Sequence, residues 1–232
     1  MRLLASIVYS PHSWAAAKPI PRTRLPQPFR QSSSSTRYLL RTPAASAHRE
    51  VPTPIVFVSS STWDPPSAKG MSTASSWFSQ RGFTCLELDL ARPSGNVSSQ
   101  ELMKHYESEV ASHIRLLSIP FAPVIIARRA GALIAQSYIS SYPATALLLI
   151  SPPPADAVLP RTLLPTPLPE FNFETKFPCA VMCTKHERPA LEAANRLWKD
   201  PGVDKIVVKD DEAVMGHEGL MEIEQWMDEL GI

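Results

Sequence analysis

Two arginines stand side by side, Arg128 and Arg129, after the apolar run Pro123-Val-Ile-Ile-Ala127 and before Ala130-Gly131 and a helical stretch. Cations at a helix N-terminus oppose the macrodipole, typically by ~0.3–1 kcal/mol each. They are better tolerated around an anion, because the free backbone N–H groups, that of Ala130 included, and both guanidinium groups then converge on it. Such an anion comes from outside, as a small molecule or a partner, or from within, as Glu187 or Asp89 in a salt bridge. The plainer reading is a pair of surface charges. Ser59, Ser60 and Ser61 follow an earlier apolar run and offer hydroxyls that line a site or, if activated, act as a nucleophile. His217 has the residue type for acid–base work, or equally for one satisfied hydrogen bond. His186 reads as a solvated loop residue. Cys179 and Cys183 share one apolar run without a matching second pair, so they read as core thiols and not as zinc ligands.

These residues need a scaffold that brings the ends of distant segments together. The apolar runs are Pro54–Val58, Thr84–Leu88, Pro123–Ala127, Thr145–Ile150, Cys179–Cys183 and Lys205–Val208. Each has strand length, and most are apolar on both faces, as a central parallel sheet covered by helices requires. Helical stretches fall between them, over Ser67–Gln80, Gln100–Leu117, Ala130–Ser141, Pro189–Lys199 and Glu218–Leu230. In the second, Leu102, Tyr106, Val110, Ile114 and Leu117 form one stripe, and Ser98 with Glu101 has the spacing of a capping box. Strand–helix alternation implies right-handed crossovers in an α/β fold with helices on both faces of a mostly parallel sheet. In such folds ligands bind beyond the carboxyl ends of the strands, which is where the residues named above fall. Residues 152–178 hold eight of the 24 prolines and read as a cap or loop over one end of the sheet.

Charge divides the chain. Residues 1–49 contain eight Lys and Arg and no Asp or Glu, leaving 15 basic against 22 acidic residues beyond them, about −7. A basic, acid-free, Arg- and Ser-rich leader over residues 1–50 has the composition of a mitochondrial transit peptide, with a disordered basic tail as the alternative. The acidic body, residues 53–232, argues against nucleic acid as a partner. No run approaches the ~18–20 apolar residues of a membrane span, and three cysteines are too few for a disulfide scaffold. No cofactor motif is present.

In the order of its parts the body resembles the α/β-hydrolase superfamily from that fold's third strand onward. Arg81–Leu90 is similar to the strand that ends in Asp-Leu, and Pro123–Ala132 is similar to the strand, nucleophile elbow and helix. The resemblance implies a three-layer sandwich whose two opening antiparallel strands are missing or supplied by the leader. It also implies a triad in the order elbow, acid, histidine. In the G-x-S-x-G elbow a strained turn presents the nucleophile, but these five residues are Ala127, Arg128, Arg129, Ala130 and Gly131. Arg129 therefore holds the nucleophile position without a hydroxyl or thiol. Glu187 matches the acid and His217 the histidine, while the family's His-Gly pair near the oxyanion hole is replaced by Ser59-Ser60. The expectation is a hydrolase fold without hydrolase chemistry, binding an anionic small molecule or a protein partner at the former active-site mouth through Arg128, Arg129, Ser59, Ser60 and Ala130. The alternative is an active esterase or thioesterase with a displaced serine nucleophile.

Overall fold

Segments apolar on both faces cannot lie at a surface. In the computed structural model, which describes residues 36–116 and 121–232, all six apolar runs become neighbouring parallel strands. They are β2 (Val51–Ser59), β3 (Phe83–Asp89), β4 (Val124–Arg128), β5 (Ala146–Ile150), β6 (Cys179–Thr184) and β7 (Asp204–Val208). A seventh strand, β1 (Arg37–Arg41), lies antiparallel to β3 at one edge, and the order across the sheet is β1-β3-β2-β4-β5-β6-β7.

The pleat sorts side chains to two cores. On one face Val56, Val58, Ile125, Ala127, Leu147 and Leu149 meet α2 (Ser99–Leu116) and α3 (Gly131–Ile139). On the other, Ile55, Phe57, Ile126, Leu148 and Ile150 meet α1 (Met71–Ser79) and α7 (His217–Glu229). This is the three-layer α/β arrangement that the alternation implies. The capping box forms at the start of α2, where the Ser98 N–H and hydroxyl donate to Glu101 Oε2 at 2.9 and 2.8 Å and the Glu101 N–H donates to Ser98 Oγ at 3.3 Å. The stripe on α2 buries Leu102, Tyr106 and Val110, with Ile114 packed against the core. Leu117 lies outside the described residues. Cys179 and Cys183 are buried on β6, and burial pushes their thiols up to about 12 and about 11.

Three segments differ from the sequence expectation. The helix expected over 67–80 is a short 3-10 turn (Pro65–Ala68) and then α1, separated by Gly70 in the left-handed region at φ 83°. The helix expected over 189–199 breaks at Asn195, whose extended backbone ends α4 (Arg188–Ala194) and whose side chain caps α5 (Arg196–Lys199) by accepting from the Trp198 N–H at 3.0 Å. The third difference is β1, which lies within the span read as leader. Three of the eight leader cations have acidic partners far along the chain, Arg37 with Asp89 (2.7 Å), Arg41 with Glu87 (2.9 Å) and Arg49 with Asp228 (3.1 Å). One of the two opening antiparallel strands is thus supplied from before residue 50. Most of the leader, residues 1–35, lies outside the described residues.

The proline-rich segment 152–178 holds one 3-10 turn (Asp156–Val158) and is tied down by polar contacts. Trp63 Nε1 donates to the Leu163 carbonyl (2.9 Å), and Ser99 Oγ donates to the Thr166 carbonyl (2.5 Å). No helix among the described residues is long and apolar enough to cross a membrane.

Candidate functional site

The loop from β4 to α3 has little room. A Cβ on Gly131 would stand 3.2 Å from the Val58 carbonyl oxygen, so the chain turns sharply beside the end of β2. Arg129 takes the turn in the left-handed region at φ 54°, and its N–H donates to the Ile150 carbonyl at 2.9 Å. That region costs a non-glycine residue ~1–2 kcal/mol. The geometry is that of a strained elbow, with a guanidinium at its tip.

Arg129 does not stand free. Its Nη1 donates to Glu187 Oε1 (2.6 Å) and its Nη2 to Asp211 Oδ1 (2.9 Å). Glu187 follows β6, where Thr184 closes a small turn around it. Its Oε2 accepts from Ser151 Oγ (2.8 Å), the Thr184 N–H (3.0 Å) and Thr184 Oγ1 (3.1 Å). Burial raises the affinity of this carboxyl for a proton, but the Thr184 N–H, Ser151, Arg129 and the Thr184 hydroxyl together outweigh it and hold Glu187 below the usual carboxylate range.

Arg128 ends β4 with its side chain 1% exposed. Nη1 donates to the Lys69 carbonyl (3.0 Å) and Nη2 to Asp211 Oδ1 (2.7 Å), while Nε is buried without a hydrogen-bond partner. Asp211 opens the short helix α6 (Asp211–Val214) just beyond β7, so one carboxylate oxygen bridges both arginines. Burial raises its proton affinity, and the charges and hydrogen bonds of Arg128 and Arg129 bring it below the usual range. Asp64, buried, lies on the other side, and its Oδ2 accepts the Ala130 N–H at 2.9 Å. Desolvation raises this carboxyl above its ordinary value despite that hydrogen bond and the nearby arginines.

These groups form the charged floor of a cavity of about 930 Å³. Its apolar walls include Pro152, Pro153, Val158, Leu159 and Leu163 from the proline-rich segment, with His186 also at the lining. Arg128, Arg129, Ala130 and Glu187 therefore come together as expected, with Glu187 the internal anion of Arg129 and Asp211, which was not expected, that of both arginines. Asp89, the other candidate, instead pairs with Arg37 and with Ser61.

Three expected site residues lie elsewhere. His217 is exposed at the start of α7, edge-on to Trp77 of α1 with ring centroids 5.2 Å apart, and does not line the cavity. The reason is α6, which brings Asp211 to the arginines and carries the chain on before His217 is reached. Ser59 and Ser60 are buried outside the cavity lining. Ser59 Oγ donates to the Leu88 carbonyl (3.0 Å), and Ser60 Oγ donates to the Leu90 carbonyl (2.7 Å) and lies 3.0 Å from the Tyr106 hydroxyl. Their role is to tie β2 to the end of β3. Sequence reasoning missed Asp64 and Asp211, and gave no role to Ser151, which directly follows the Thr145–Ile150 run. Asp210-Asp211-Glu212 follows β7 after Lys209 alone, so the rule that pointed to the strand ends already pointed there.

No protein-family model matches the chain, and no curated protein matches its sequence. Solved structures match its fold. An esterase from Thermogutta terrifontis superposes with a TM-score of 0.57 at 12% identity, covering 84% of this chain and 93% of that one. A soluble variant of monoglyceride lipase from Saccharomyces cerevisiae gives 0.57 at 11%, covering 85% and 92%. An alpha/beta hydrolase enzyme from the metagenome of lagoon sediments at Mar Chica, Morocco, gives 0.56 at 14%, covering 85% and 97%. The chain has the α/β-hydrolase fold.

Proposed function

We propose that this protein is a non-catalytic α/β-hydrolase-fold protein that binds a small molecule in the cavity above β4–β6. The observation that carries this reading is that other groups stand at the nucleophile, histidine and oxyanion positions of a hydrolase. The elbow position holds Arg129, which stays protonated and forms no acyl intermediate. Asp211, and no histidine, reaches it from the end of β7. The Ala130 N–H, which would donate to an oxyanion, already donates to a buried carboxylate. The apolar walls and charged floor suit a ligand with an apolar body and one polar end.

One observation favours the active-hydrolase alternative. Ser151 lines the cavity at φ 45°, and its hydroxyl donates to Glu187. Against it, Glu187 is held as a well-satisfied carboxylate of low basicity, and His217 stands outside the cavity. A fluorophosphonate probe decides between the two: the non-catalytic reading expects no labelling, whereas labelling abolished by Ser151→Ala would establish a displaced nucleophile.

We also propose that the leader directs the protein to mitochondria, with a boundary earlier than residue 50. Cleavage near residue 50 would remove β1 and its ion pairs from the sheet edge, so any cut falls before Thr36. Residues 1–35 keep five of the eight cations and no acid, the composition such a signal uses. Fused to a fluorescent protein, they should direct it to mitochondria. A diffuse signal would remove the claim.

A further inference from the structure

The members of the charged floor are not held equally. Glu187 has both oxygens engaged, one by Arg129 and the other by Ser151 and Thr184. Asp211 has one oxygen on the two arginines, and its other oxygen lies 3.6 Å from Lys69 Nζ. Its side chain is 46% exposed and is carried by a four-residue helix. The receiving side is built more firmly. Arg128 is almost fully buried, fixed through Nη1 to a backbone carbonyl, and its Nε has no hydrogen-bond partner. A loosely carried carboxylate thus sits on a rigid, incompletely satisfied cation pair at the floor of an apolar-walled cavity.

We propose that Asp211 is a displaceable internal carboxylate, and that the cavity takes a monocarboxylic acid with an apolar body whose head group replaces Asp211 on Arg128 and Arg129. This deepens the small-molecule reading above and rests on it. The exchange conserves charge at the floor, since one carboxylate leaves as another arrives. Asp211, already half-exposed, is then hydrated in solvent, while the ligand's apolar part lies along Pro152, Val158, Leu159 and Leu163. Because Asp211 competes for the arginines, it lowers apparent affinity by the fraction of time it occupies them.

Titration calorimetry of the full chain with octanoate, and with octan-1-ol as the uncharged control, tests this. Octanoate should bind more tightly than octanol. Asp211→Asn should tighten octanoate by about tenfold, as expected for removal of a competitor, and leave octanol unchanged. Arg128→Gln should abolish the preference for octanoate. If Asp211→Asn binds octanoate no more tightly than the unaltered protein while octanol still binds, displacement is refuted and the cavity reading stands. If neither compound binds any form, both fall. The unaltered protein gives an answer that does not depend on a folded variant: octanoate should shift the backbone amide resonance of Asp211 more than octanol does. Equal shifts would overturn the proposal.

Discussion

Arg128 and Arg129 are neighbours in sequence with two ion-pair partners between them, yet replacing each with alanine should have unequal consequences. Arg129 is about one-third exposed at 35%, and its partners keep other contacts when it is removed. Glu187 retains Ser151 and Thr184, and Asp211 retains Arg128. Discounted for solvent screening, the loss should be about 1 kcal/mol. Arg128 is 1% exposed and fastens the end of β4 to the Lys69 carbonyl and to Asp211. Breaking a buried pair costs ~3–5 kcal/mol, and the low end applies because the stranded Asp211 can reach water. For a domain of this size each kcal/mol shifts Tm by roughly 2–4 °C. Thermal unfolding followed by circular dichroism should therefore show a loss of about 2–4 °C for Arg129→Ala and about 6–12 °C for Arg128→Ala. Arg129→Gly should recover about 1 kcal/mol relative to Arg129→Ala, because glycine removes the left-handed strain. Equal losses at the two arginines, or a glycine variant less stable than the alanine one, would refute the reasoning.

Glu187 is held below its ordinary value of 4.5, so its contribution to stability is present above that value and lost as pH falls through the folded one. The Tm difference between the unaltered protein and Glu187→Gln should shrink below about pH 4. Asp156 has the opposite sign: burial, then Glu170, push its carboxyl up to about 6, so its contribution is full below the ordinary 3.8 and lost as pH rises through about 6. Asp156→Asn should accordingly stabilise by about 1 kcal/mol at about pH 7.5, after discounting for its partial exposure, and have almost no effect at about pH 3.5, as chemical denaturation at the two pH values will show. Arg129→Ser restores a hydroxyl at the elbow, yet p-nitrophenyl acetate hydrolysis should stay at the buffer rate, because Asp64 holds the Ala130 N–H and His217 stands outside the cavity.

The fold was legible because period and composition agreed along the body. Val124–Ala127 and Ala146–Ile150 are apolar on both faces and of strand length, as a covered parallel strand requires. Arg129 and Glu187 were legible because both lie directly behind such strands. β1 was not, since Arg37-Tyr-Leu-Leu-Arg41 lies inside the acid-free span read as leader, and its arginines meet acids 46 to 52 positions away. His217 misled because matching a motif by its order along the chain ignores what an inserted turn does to its reach. Four residues of α6 were enough to deliver Asp211 in its place. Asp64 lay outside any local signal, because its role depends on a backbone N–H sixty-six positions away.

Ion pairs stand where the nucleophile and histidine of a hydrolase would. Ester hydrolysis by the unaltered full chain, followed with p-nitrophenyl acetate and butyrate, should therefore proceed at the rate of buffer, unchanged by Ser151→Ala or His217→Ala. Saturable turnover that either substitution abolishes would contradict it.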